Sequence, residues 1–258
     1  MGVLTASARW RDRGLWTGGA AAAPLLVRAL VVSSYAHGNW SALPSYLKAR
    51  MNADALLLES FVIVIAAPLA GVVAANRRAQ LQAGAAWLAG RCVLFAVALA
   101  TTAAAVSFVF QPSVHVAALV PPYLTMAIAA LAMASVGAAA GEWFEHPLDA
   151  AACALIGCLV AGLGVLVAGP LVDRVSAPAV NAGLFASPVV AVASAADIDL
   201  FRGEPLYRFS PIAHSQFDYP AWPAACVWYI AVAVVCFACV VFMSNRECRT
   251  LSAERISV

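Results

Sequence analysis

Six stretches of the chain are apolar for the length of a bilayer crossing, and this confines what it can fold into. They run roughly from Thr17 to Tyr35, Ala55 to Ala75, Ala85 to Phe110, Val116 to Gly141, Ala150 to Val172 and Ala221 to Met243. About 20 apolar residues cross a hydrocarbon core. No water satisfies a peptide group inside lipid, so such a run is a helix, whose hydrogen bonds close within the segment. Composition agrees. The chain is 64% hydrophobic and 11% charged, with a mean hydropathy of +0.87, whereas a soluble domain is about half apolar and a quarter charged. The sequence predicts an all-α integral membrane protein with six transmembrane helices in a single transmembrane domain over 1–258.

Basic residues set the expected orientation. With the N-terminus inside, the cytoplasmic segments hold Arg9, Arg11, Arg13, Arg77, Arg78, Arg246, Arg249 and Arg255, and the outer ones Lys48, Arg50, Arg174, Arg202 and Arg208. That bias favours six crossings with both termini cytoplasmic. The N-terminus carries no cleavable signal pattern. Within 1–16, Leu4, Trp10 and Trp16 stand among three arginines. This is the pattern of an N-terminal interfacial helix, and a disordered basic tail fits the same residues.

One further stretch raises the question of a seventh crossing. No charge falls between Arg174 and Asp197, but the stretch contains Pro178, Asn181 and Pro188. Pro188 removes a backbone donor and clashes with the preceding turn. A seventh crossing would also put Arg246, Arg249 and Arg255 outside and reverse the charge bias. The expectation is two short re-entrant pieces between spans five and six, inside an extracytoplasmic loop over 173–220.

Motifs of chemistry are sparse. The only lysine is Lys48, in "SYLKAR", so the chain carries no phosphate-gripping P-loop. It has no H-E-x-x-H, and its four histidines fall in different loops. Cys236 and Cys239 match C-x-x-C within a span, where helix packing explains them better than a redox pair, which needs an activated, accessible thiol. No catalytic residue, metal site, cofactor or nucleic-acid partner is expected. Gly137 and Gly141 form a G-x-x-x-G, which lets two helix backbones approach closely.

Charges inside spans say more, because each needs a partner or a route to water. Arg91 lies near the inner end of the third span and can snorkel. Arg28 lies in the first span and Glu59 in the second, in helices expected to run antiparallel. At 1.5 Å per residue they sit roughly 12 Å and 8 Å below their outer ends. We therefore expect an Arg28–Glu59 ion pair where the two faces meet, with separate snorkelling as the alternative. The acidic "GEWFEHPLD" between spans four and five reads as a solvated turn or as a docking surface for a cytosolic partner.

Together, "ASARWRDRGLW", "ANRRAQLQAGAAW" and the re-entrant stretch resemble the membrane subunit of ABC exporters of the type-two family. These match in turn the family's elbow helix, its ATPase contact loop and the paired short helices before its last span. The run "SPVVAVASAADIDLFRGEPLYRFSPIAHSQFDYPAW" looks like the corresponding region of bacterial members. The resemblance spans the whole chain in layout. It implies a permease subunit that exports a lipid, peptide or drug-like compound across the cell membrane. Such a subunit works with a cytosolic ATPase, contacted here through Arg77 and Arg78, and with a second permease subunit as a homo- or heterodimer. A different class stays open: a non-transporting multi-pass protein, such as an immunity or assembly factor, acting through helix contacts in the lipid bilayer. A membrane enzyme comes third.

Overall fold

The computed structural model describes residues 22–34, 45–110, 116–167, 177–200 and 219–256. Every element among them is an α-helix or a turn. We label the helices α1 (Ala22–Ser34), α2 (Ser45–Leu81), α3 (Ala85–Phe110), α4 (Val116–Trp143), α5 (Pro147–Val167), α6 (Ala177–Ala186), α7 (Pro188–Ala195) and α8 (Trp222–Ile256). Five of them, α2 to α5 and α8, are long and apolar enough to cross a membrane. The chain is an all-α, multi-pass membrane protein. The expected interfacial helix over 1–16 lies outside the described residues, as does the start of the first predicted span.

α4 is the central helix and packs against α2, α3, α5, α7 and α8. Small residues make this closeness feasible. A Cβ built on Gly137 would overlap the Pro68 carbonyl, one built on Gly71 would overlap the Ala134 carbonyl, and one on Gly141 would press on Ala75. The G-x-x-x-G thus joins α4 to α2 within one chain. Around this seam the bundle core gathers Ile63, Val64, Ala67, Met126, Ala130 and Ala134.

Pairings along the helices give their directions. Glu59 meets Tyr123, Pro68 meets Gly137 and Arg78 meets Glu142, so α2 and α4 are parallel. Ser107, near the end of α3, meets Tyr123 near the start of α4, so α3 returns. Ala150 and Ala154 pack on Val72 and Gly162 faces Val64, so α5 opposes α2. Cys226 meets Thr125, while Val241 and Ser244 lie beside Gly141 and Glu142, so α8 is parallel to α4. α1 opposes α2, with Arg28 at Glu59 and Val31 at Met51 and Ala55.

These directions resolve the proline-broken stretch. α5 ends, and α8 begins, on the side where Tyr123 lies. α6 and α7 therefore leave and return on that same side. They are bent by 78° at a one-residue break. Ser187 makes the elbow. Its side chain caps α7 by accepting from Val190 N at 3.4 Å and donates to the Gly162 carbonyl at 2.6 Å. Pro188 follows at the first helical position, where its missing N–H costs nothing. α7 is buried from Pro188 to Ala193, so its backbone lies against protein, as non-spanning structure at membrane depth requires. Ser194 Oγ donates to Pro220 O at 2.8 Å, tying the exit of α7 to the start of α8.

Two expected boundaries are corrected. The second span was expected at Ala55–Ala75, followed by a loop from Arg77 to Gly84. Instead α2 runs for 37 residues to Leu81, and Arg77 and Arg78 are helical. Nothing between Asn76 and Leu81 breaks a helix, and polar side chains prolong one freely beyond lipid. The helix stops at Gln82, whose φ of 49° leaves the helical region. Likewise the last helix does not stop at Met243 but continues to Ile256. An epitope inserted in the Gln82–Gly84 turn should be reached from the same side as one at 144–146, and from the side opposite to one at Asp197. Labelling of all three from one side would overturn this topology.

Candidate functional site

The largest buried polar assembly among the described residues centres on Arg28. This side chain projects from α1, is 2% exposed, and is met from three other helices. Its Nε donates to Glu59 Oε1 of α2 at 2.9 Å. Its Nη1 donates to Asn52 Oδ1, also of α2, at 2.7 Å. Its Nη2 donates to Ser107 Oγ of α3 and to Tyr123 Oη of α4 at 3.1 Å. Ser107 and Tyr123 are hydrogen-bonded to each other. Tyr123 Oη also donates to Glu59 Oε2 at 3.4 Å, a long bond.

The electrostatic logic follows from the medium. A bare charge near mid-bilayer costs about 2.5–3.5 kcal/mol even on lenient insertion scales. Opposite charges in contact cancel the long-range field, and the three neutral groups take three more of the guanidinium's five N–H donors. Arginine suits the place because its planar fork reaches several partners at fixed angles. The network is neutral as a whole and binds α1, α2, α3 and α4 at one level. Ser107 meets a guanidinium and a phenol, neither of which takes a proton from a hydroxyl, so this geometry builds no nucleophile.

The structure thus brings Arg28 and Glu59 together and adds three partners that the sequence reading did not name. One of the three had a sequence signal. Asn52 precedes Glu59 by seven residues, which is two turns and the same helix face. Ser107 and Tyr123 had none, since serine and tyrosine are ordinary in spans.

The other expected site residues lie at the opposite end. Arg78 Nη1 is 2.7 Å from Glu142 Oε2, and its Nε donates to the Ala83 carbonyl at 3.0 Å. Arg77 is exposed and its Nη1 donates to Gln80 Oε1 at 3.4 Å. Arg78, Ala83 and Glu142, but not Arg77, line a recess of about 1030 Å³ between the α2–α3 turn, the α4–α5 turn and α8. The acidic turn is therefore partly a structural tie to α2 through Glu142. Glu145 and Asp149 on it are exposed, as are Trp143 and Leu148. Arg91 stacks on Trp87 with 4.8 Å from guanidinium to ring centre, as interfacial pairs do. Cys236 and Cys239 are unbridged in α8. Among the described residues no three His, Cys, Asp or Glu side chains converge as metal ligands would.

Fold and site together define a multi-pass membrane protein with a neutral, buried Arg–Glu–Tyr–Ser–Asn network and a re-entrant helix pair. No protein family, characterised protein or solved structure matches the chain.

Proposed function

We propose that the chain is the membrane subunit of an ATP-driven exporter of the type-two ABC class, moving a lipid, peptide or drug-like compound. In this reading it sits in the cell membrane with both termini cytoplasmic, pairs with a second permease subunit, and draws on a separate ATPase. The observation that carries the reading is the helix pair α6–α7, which enters and leaves on one side between α5 and α8. Supporting it, the α2–α3 turn, the α4–α5 turn and the recess between them all face the other side, where an ATPase would dock. The exported molecule would move as ATP-driven closure of the cytosolic subunits shifts the helices, so no residue of this chain does covalent chemistry.

A second reading is a non-transporting multi-pass protein that acts through helix contacts. The observation favouring it is the α2–α3 connection, which is only Gln82–Gly84 and leaves no room for a separate coupling helix. Copurification decides between the two. The protein, solubilised from its native membrane in a mild neutral detergent, is expected to bring down an ATPase subunit. Replacing Arg77 and Arg78 together with Glu should lower the recovered ATPase at least several-fold without lowering membrane insertion. The Glu142→Gln variant is the control, because it breaks the Arg78–Glu142 bridge without reversing the surface charge. Equal loss in both variants would assign the effect to the broken turn. No ATPase with the unaltered protein would leave the non-transporting reading.

A further inference from the structure

A cavity of about 320 Å³ adjoins the Arg28 network, at the lower end of small-molecule pocket sizes, roughly 300–1,000 Å³. One of its walls is polar, formed by Arg28, Asn52, Ser107 and Tyr123. Leu56, Leu119 and Ile198 are among the residues of the apolar remainder. Ala118 on its lining is exposed, so it meets the surface of the bundle there. The placement of Glu59 gives this wall its character. Glu59 does not line the cavity. It lines a separate small void with Pro24, Val27, Val62 and Leu99. Arg50, Asp54, Asp197 and Asp199 are not among its lining residues either.

We propose that this cavity binds the acidic head of a single-chain amphiphile, with the first part of the chain against Leu56, Leu119 and Ile198. Among the described residues the wall offers a cation and two hydroxyls and no carboxylate, which is the complement of a carboxylate or phosphate monoester. The two hydroxyls turn about their C–O bonds. One of the two protons stays in the bond between Ser107 and Tyr123, and with Ser107 donating there, Tyr123 gives up a long, 3.4 Å bond to Glu59 when it turns its own proton to a ligand. Glu59, outside the cavity lining, holds the guanidinium through Nε at 2.9 Å. The reverse chemistry is excluded by the same wall, since a quaternary ammonium head would meet Arg28. The site does not depend on the transport reading, because binding needs neither an ATPase nor a second subunit.

The test uses the full chain in a neutral maltoside detergent. Displacement of a fluorescent fatty acid is measured with dodecanoate, dodecyl phosphate, dodecanol, dodecyltrimethylammonium and acetate. The two acidic amphiphiles are expected to displace it saturably, at least ten-fold more tightly than the alcohol or the ammonium compound, with acetate far weaker. Leu119→Trp and, from another element of the lining, Ile198→Phe put added bulk into the cavity and leave the five network residues unsubstituted. Each should weaken dodecanoate at least ten-fold while leaving the ligand-free melting temperature within a few degrees. Two walls are varied so that one misfolded variant does not decide the matter. Equal displacement by dodecanoate and dodecanol would overturn the proposal, as would full binding in both variants. Acetate matching dodecanoate would overturn the amphiphile and leave a site for small anions.

Discussion

Replacing Arg28 with leucine is expected to destabilise the detergent-solubilised protein by about 3–5 kcal/mol, the usual cost of removing one partner of a buried pair. Glu59 would be left 3% exposed with only the long Tyr123 bond. Glu59→Leu should cost a similar amount, because Arg28 keeps its hydroxyl and amide partners but loses its counter-charge. The double leucine variant should recover much of the loss, since an apolar pair suits both the interior and the lipid. The charge-swapped double variant, Arg28→Glu with Glu59→Arg, should recover less. Asn52, Ser107 and Tyr123 are arranged around a guanidinium on α1, and the swap moves that group to α2. Unfolding in a graded mixture of neutral detergent and dodecyl sulfate provides the four stabilities of each cycle. Simple addition of the two single losses would show that Arg28 and Glu59 do not act on each other.

The second large effect is expected at the α2–α4 seam. Gly137→Ala places a methyl on the Pro68 carbonyl, and Gly71→Ala places one on the Ala134 carbonyl. Backbone cannot step aside as a side-chain tip does, so the helices must separate. Overpacking of this kind costs about 1–3 kcal/mol and occasionally more. Both substitutions act on one seam, so the double variant should cost less than the sum. The first methyl has already opened the gap that the second needs. Gly157→Ala is the control. A Cβ there meets nothing within 4 Å, and alanine favours a helix over glycine by about 1 kcal/mol. It should be neutral or stabilising. If Gly137→Ala behaved like Gly157→Ala, the close contact would not exist.

Much of this architecture could be read from the residues, and the reason is physical. In a bilayer the backbone has few choices, so the long apolar run Ala85–Phe110 coincides with α3 residue for residue. The elbow at Ser187 was visible because proline allows few positions in a helix. Arg28 and Glu59 stood out because a membrane-embedded charge needs a counterpart. Helix ends were less legible. Beyond lipid the apolar signal stops, although the helix need not, so α2 and α8 both outrun their predicted ends. Ser107 and Tyr123 were illegible for another reason. Which face of α3 or α4 turns toward α1 depends on the packing of Gly71, Gly137 and their neighbours in three dimensions.

The burial of α7 also constrains how the protein is made. α6 and α7 are too short to cross, and their bend leaves backbone groups that lipid cannot satisfy. The insertion machinery therefore cannot release them sideways into the bilayer as it releases a crossing helix. Their place is formed by α2, α4 and α5, and it is closed by α8, which follows them in the chain. The pair must wait at the membrane surface until those three helices have gathered, then enter between them as Ser187 reaches the Gly162 carbonyl. Ser194 and Pro220 fasten it once α8 has inserted. Burial of this proline-broken pair thus depends on the prior gathering of the helices that surround it.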